Sequence, residues 1–205
     1  MTAQPKTYLT EAEYLEREQE SVIKHEYYAG EIFAMSGASE AHNLIASNIT
    51  AILHNQIRGR GCRIYPSDMR IKVEKTGLYT YPDITVVCGT SEFTDMMKRD
   101  TLINPTVIIE ILSPSTERYD RGVKFQNYRT IASLKEYILV AQNTYHIERY
   151  VRSETQTWML NEAVGIEASI MLASIQCVLV LADTYEMVDM PPESPSDDRA
   201  VVAAG

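Results

Sequence analysis

The sequence predicts an α/β protein in which helices cover a sheet, and three observations carry that prediction. Two short β-branched apolar runs, Tyr81 to Val87 and Val107 to Ser113, are bounded by turn residues and read as strands buried on both faces. Between Glu40 and Arg58 apolar residues recur at Leu44, Ile45, Ile49, Ile52, Leu53 and Ile57, the period of an amphipathic helix that lays one face on a sheet. From Glu136 onward, short strand-like segments separated by turn residues predict further strands.

Taken in order, Thr10 and Glu13 stand at capping-box spacing, with Leu9 and Tyr14 placed as a hydrophobic staple, so a helix should run to about Gln19. Lys24 to Tyr28 and Glu31 to Met35 read as two strands around an Ala29-Gly30 turn. The long helix from Glu40 to Arg58 follows, closed by Gly59 and Gly61. Cys62 to Tyr65, Met69 to Val73 and Tyr81 to Val87 are expected as successive strands. The connection from Gly89 to Pro105 is long, the kind that is commonly functional or mobile. A helix from about Glu117 to Ile131 comes next, then strands at Glu136 to Val140, Tyr145 to Val151, Thr155 to Leu160 and Ser169 to Leu181, with a short helix starting at Ala182. Residues 8–188 should form one domain, between a flexible N-terminus (1–7) and a disordered acidic tail (189–205).

Composition narrows the function classes. A chain of 205 residues with 45% hydrophobic and 23% charged residues is typical of a soluble globular protein. A formal net charge of −9 argues against a general nucleic-acid coat protein, while leaving room for a local basic groove. Cys62, Cys88 and Cys177 are widely spaced and in no ligand pattern, which suggests buried thiols in a reducing compartment. The first residues lack the apolar core of a signal peptide, and no stretch is apolar enough to span a bilayer, so a cytoplasmic protein with no membrane partner is expected.

Each of the two buried strands carries one carboxylate, and that placement needs a cause. If they pair antiparallel with residue numbers summing to 193, Asp83 faces Glu110 and Thr85 faces Ile108 on one side of the sheet. Two acids so close in an apolar setting must share a proton or a cation, and Mg²⁺ is commonly held by one or two carboxylates. The alternative is that each acid meets an arginine or a backbone amide at a strand end. On the helix that follows, Arg121, Lys124, Tyr128 and Ile131 share one sector at 100° per residue, with Arg118 on its edge. A lysine facing inward needs an anion, and the Asp83/Glu110 pair offers one. Snorkelling at the helix edge is the alternative for Lys124.

These residues also carry a resemblance. Pro82-Asp83, then Glu110-Ile111-Leu112, resembles the PD-(D/E)XK nuclease signature. With Tyr27 to Ile32, His42, Tyr81 to Ile84, Ile109 to Ser115 and Asp120 through Lys124 to Tyr128, the pattern over about residues 8–188 resembles the Uma family of restriction-endonuclease-like proteins. The resemblance implies a mixed sheet flanked by helices, a restriction-endonuclease-like core to which the C-terminal antiparallel strands are an addition. It implies metal-dependent cleavage of a phosphodiester, with DNA as substrate and Mg²⁺ or Mn²⁺ as cofactor. Asp83 and Glu110 would be the metal-binding acids and the main-chain carbonyl of Ile111 a further ligand. The parent motif has a lysine two residues after the glutamate, where this chain has Leu112. The resemblance moves that role to Lys124, which would orient or deprotonate water or stabilise the transition state.

Further candidates complete the site. Glu26 could be an auxiliary acid, and His42 an auxiliary group near the start of the long helix, with capping or packing as its alternative. Arg70 and Lys72, or Arg118 and Arg121, could hold phosphates, with solvated surface charge as the alternative for each. His25-Glu26 lacks the second histidine of a zinc-protease helix, and Ser113 and Ser115 have no nucleophile-elbow glycines. Two function classes remain, a metal-dependent endonuclease and a non-catalytic nuclease-fold module for binding or dimerisation. Two-site cleavage of a duplex would favour a homodimer, by analogy.

Overall fold

The computed structural model describes residues 8–191, so the expected flexible stretch 1–7 and residues 192–205 of the expected disordered tail lie outside the described residues. Helix α1 (Glu11–Glu20) starts where the capping box places it: the Glu13 amide donates to Thr10 Oγ1 at 3.2 Å, and the Thr10 amide donates to Glu13 Oε2 at 2.7 Å. Strands β1 (His25–Tyr28) and β2 (Glu31–Ala34) pair across Ala29 and Gly30, whose positive φ angles of 51° and 87° make the tight turn. A Cβ on Gly30 would stand 2.8 Å from the Tyr8 ring, so this turn also needs glycine for space. Helix α2 (Glu40–Ile57) is capped by Ser39 and buries Ile45, Ile49, Leu53 and Ile57 along one line.

Strands β3 (Cys62–Pro66), β4 (Arg70–Val73), β5 (Leu78–Thr80) and β6 (Ile84–Cys88) follow. Strand β5 has no counterpart in the sequence reading, because three residues are too few to show an alternation. The long connection after β6 is ordered on itself: Phe93 bridges Leu102, and β7 (Thr101–Leu102) joins β4 in parallel. After β8 (Val107–Leu112) the chain forms α3 (Glu117–Tyr119), a π-helical turn (Asp120–Lys124) and α4 (Phe125–Tyr128), ending three residues earlier than expected. Strands β9 (Glu136–Ala141), β10 (His146–Arg152) and β11 (Trp158–Val164) form a meander. The expected single strand from Ser169 to Leu181 is a hairpin, β12 (Ser169–Leu172) and β13 (Cys177–Val180), followed by α5 (Leu181–Thr184).

These strands build a mixed α/β architecture with helices on its flanks. Six strands form a mixed sheet in the order β11-β10-β9-β8-β6-β3, with β8 and β9 parallel and the other pairs antiparallel. Five form a second sheet, β2-β1-β5-β4-β7. The chain passes from the second sheet to the first through Tyr81-Pro82-Asp83, between β5 and β6. On β8, Val107, Ile109 and Ile111 pack toward α2 and the β12–β13 hairpin, while Ile108 and Leu112 pack toward β4, β5 and α4. By alternation the Glu110 side chain points to this second layer. It is the one charged group on a strand whose six residues are all buried.

The cysteine reading needs correction. Cys62 and Cys88 are register partners on β3 and β6 and form a disulfide, whereas Cys177 is the buried free thiol expected. Cross-strand pairing brought together two residues whose separation of 26 gave no sign of it. Among the described residues, no helix is long and apolar enough to cross a membrane.

Candidate active site

The register of β6 and β8 places Thr85 opposite Ile108 and Ile84 opposite Ile109, the numbering sum of the sequence reading. The ladder ends there, one pair short of Asp83 and Glu110. Asp83 lies just before β6, where Pro82 interrupts the strand, and its carboxylate turns onto the end of β8: the Ile111 amide donates to Asp83 Oδ2 at 2.7 Å. In return the Asp83 amide points at Glu110 Oε2, 3.4 Å away. The two acids are thus interlocked through each other's backbone. Nε2 of His42, on the first turn of α2, lies 3.1 Å from the same Oδ2 of Asp83, and the buried Nδ1 of this ring has no hydrogen-bond partner among the described residues.

Glu110 holds the centre of the site. Its Oε1 accepts from Tyr128 Oη at 2.8 Å and from Lys124 Nζ at 3.1 Å. The same ammonium lies 3.2 Å from Glu26 Oε1 on β1 and 3.1 Å from Asp120 Oδ1, the latter without the angle of a hydrogen bond. Glu26 in turn accepts from Thr80 of β5. Each of these acids therefore comes from a different element: β1, β8 and the π-helical turn. That turn has a geometric effect. In a straight α-helix, positions four apart drift by about 40°, so 120, 124 and 128 would spread over about 80°. The wider π turn offsets that drift and aims Asp120, Lys124 and Tyr128 at one cluster.

The charges do not balance within the protein. Burial pushes the Glu110 carboxyl up to about 8; Lys124 pulls it down, and Asp120 and Asp83 add to the rise. Burial also raises Asp120 against the pull of Lys124. For Lys124, burial opposes the charge, but Glu110, Glu26 and Asp120 outweigh it and hold the ammonium protonated well above its ordinary range. Three acids contact one fixed cation, and Asp83 adds a fourth beside Glu110. These groups line a cleft of about 1520 Å³ bounded by α2, the Ser113–Thr116 turn and the end of β2.

The structure brings Asp83, Glu110, Ile111, Lys124, Glu26 and His42 to this cleft. It does not bring Arg70, Lys72, Arg118 or Arg121 there. Arg70 is 5% exposed and donates to Thr101 and Tyr81 beside the rings of Tyr14, Tyr79 and Tyr81. Lys72 pairs with Glu11 at 2.7 Å. Arg121 pairs with Glu117 and Glu148, because the π turn rotates it out of the sector shared with Lys124. Arg118 is exposed outside the cleft. Asp120 and Tyr128, named in the resemblance but given no site role, join the cluster with Thr80, which the sequence does not mark; for Asp120 the signal is also its position four residues before Lys124, where an acid pairs with an inward lysine.

The acid excess around Lys124 and the carboxylate pair Asp83/Glu110 suit Mg²⁺, which usually takes one or two carboxylates and completes its shell with water and phosphate. Among the described residues, a closer three-ligand convergence is formed by His146, Glu148 and Glu162 on β10 and β11, but Arg121 and Tyr150 already engage Glu148 there.

The family model described as "Putative restriction endonuclease", Uma2, matches residues 11–181. An uncharacterised protein of Synechocystis sp., sll1609, is 39% identical over 162 residues, covering 79% of this chain and 91% of its own. A second from the same organism, slr1290, is 36% identical over 152 residues, covering 74% and 78%. The crystal structure of a "putative nuclease" of the DUF820 group from Anabaena variabilis superposes with a TM-score of 0.69 at 19% identity, over 85% of this chain and 96% of that one, which bears on the fold.

Proposed function

The chain belongs to the Uma2 family of "putative restriction endonuclease" proteins, and from that premise we propose that it is a metal-dependent endonuclease hydrolysing phosphodiester bonds of DNA. One observation carries the reading: three acids, Glu110, Glu26 and Asp120, meet a single fixed cation in an open cleft, and a fourth, Asp83, stands beside Glu110. A cluster of that charge calls for a further cation, and the open side admits a phosphate with it.

Asp83 and Glu110 would hold Mg²⁺, or Mn²⁺ in its place, with the main-chain carbonyl of Ile111 as a further ligand. When bound, such an ion neutralises the phosphate and lowers the pKa of a water molecule. The residues of the chain divide the remaining work. His42 and the Ile111 amide fix the Asp83 carboxylate from two sides. Tyr128 and Lys124 occupy Oε1 of Glu110, which leaves Oε2 on the Asp83 side. Lys124, held charged by three carboxylates, acts as a stabiliser of negative charge on the phosphate and not as a proton acceptor.

The test is nicking of supercoiled plasmid by the purified protein in Mg²⁺ or Mn²⁺. Nicking should appear only with the metal and vanish in Asp83→Ala and in Lys124→Ala. Cleavage that survives both substitutions would remove the site assigned here, and an inert wild-type protein would leave the fold serving as a binding module.

A further inference from the structure

The nuclease reading leaves open which form of nucleic acid the cleft accepts, and the walls of the cleft bear on that. A duplex carries one negative charge per about 1.7 Å of axis and is held chiefly through lysine and arginine on its phosphates. Among the described residues, no arginine lines this cleft. Of its two lysines, Lys124 is buried among carboxylates, and Lys24 is engaged by the Ser67 carbonyl at 2.9 Å and Asp68 at 3.1 Å. The wall that α2 presents is instead neutral. Exposed Asn43, Ser47, His54 and Asn55 line it over about three turns with no carboxylate between them, a stripe roughly 16 Å long at 1.5 Å per residue. Such side chains hydrogen-bond to phosphate and sugar without adding charge.

The lining also holds an open aromatic ring, from the β1–β2 hairpin. Glu26 and Phe33 are direct partners in the β1–β2 hairpin, so their side chains share a face with Cβ atoms roughly 4.5–5.5 Å apart. Glu26 is buried against Lys124, whereas Phe33 is 47% exposed in the cleft. The chain has three phenylalanines, and the other two, Phe93 and Phe125, pack into the core. Phe33 stands instead beside the ionic cluster, where folding gains little from it.

We propose that the cleft takes an unpaired nucleic-acid strand, with one base stacked on Phe33 and the sugar–phosphate backbone along the neutral α2 stripe. This rests on the nuclease reading and names its substrate class. In a duplex the base faces are covered by their neighbours and cannot reach the ring. In a single strand they are free, and stacking on an aromatic side chain supplies affinity that needs no cation.

The experiment is fluorescence anisotropy with the full-length chain in Ca²⁺, using a labelled 15-nucleotide DNA strand, the RNA strand of the same sequence and the annealed DNA duplex. The DNA or the RNA strand should bind at least roughly tenfold tighter than the duplex. The slope of log K against log salt should be no steeper than roughly −1.5, as two lysines allow at about −0.7 each. Phe33→Ala and Phe33→Leu should each weaken strand binding roughly tenfold, and Phe33→Trp should restore it, with unchanged circular dichroism in all three. Equal binding of duplex and strand, a slope of roughly −4 or steeper, or a Phe33→Leu protein that binds like wild type would overturn the proposal. Mg²⁺-dependent cutting of linear duplex without preference for the strand would overturn it and leave the nuclease reading standing. Absence of both binding and cleavage for every probe would remove the two together.

Discussion

Arg70 and Lys124 are both buried cations, and the sequence marks both as candidates, yet their surroundings differ in kind. The guanidinium of Arg70 is met by the Thr101 and Tyr81 hydroxyls, three tyrosine ring faces and a single half-exposed acid, Asp100, at 3.4 Å. Its charge is met on the spot, and its side chain does not line the cleft. Lys124 is met by three buried carboxylates with a fourth nearby, so its neighbourhood is more negative than one ammonium can offset. A buried charge that closes its own balance holds elements together. One left with surplus charge of the opposite sign beside an opening marks where a ligand completes it.

Substitutions can break this contrast. Lys124→Ala should lower metal-dependent cleavage by about 10²–10³-fold. It should also destabilise the metal-free protein by about 3–5 kcal/mol, because it strands three buried acids. A thermal melt with and without Mn²⁺ checks the second part, and equal losses in both conditions would mean that the acids do not share a metal. Arg70→Ala should cost about 2–4 kcal/mol of stability in a denaturant titration through lost hydrogen bonds and packing, while the folded protein keeps its cleavage rate. A large fall in that rate at full foldedness would erase the distinction drawn between the two cations.

The acid surplus also fixes a pH dependence. In the folded metal-free chain the Glu110 carboxyl titrates near 8, above its ordinary value of 4.5. Between those values the folded state binds more protons than the unfolded one, so this group's contribution to stability falls as pH rises from about 4.5 through 8. Melting temperature should therefore decline across that window in chelator, and Mn²⁺ should flatten the decline. Calorimetry at pH 7 in buffers of different ionisation enthalpy should register proton release on metal binding. The smallest effect is expected for Tyr128→Phe, which removes one hydrogen bond to Glu110 and should cost about 1–2 kcal/mol by urea unfolding.

Much of the local structure was legible because its causes are local. Thr10 and Glu13 bond reciprocally as their spacing implied, the α2 stripe faces the sheet, and Thr85 stands opposite Ile108. The convergence of Asp83, Glu110 and Lys124 was approached by the same arithmetic of strand and helix periods. What it could not supply was the irregular part. Pro82 stops the ladder before Asp83, so that acid reaches Glu110 through backbone amides and not as a cross-strand pair. The π turn realigns Asp120 with Lys124 and swings Arg121 away to Glu148, which no regular 100° wheel contains.

Side-chain periodicity and capping are written in neighbours a few residues apart, so the amino-acid order alone determined where α1, α2 and most of the longer strands lie and which face α2 buries. Which sheet each strand joins, that Cys62 meets Cys88, and that Arg70 is enclosed by tyrosines while Lys124 sits among acids were decided by contacts between distant segments. Charge is the reason the second kind matters here: an isolated carboxylate on a strand has no meaning until the fold sets what stands within a few ångströms of it.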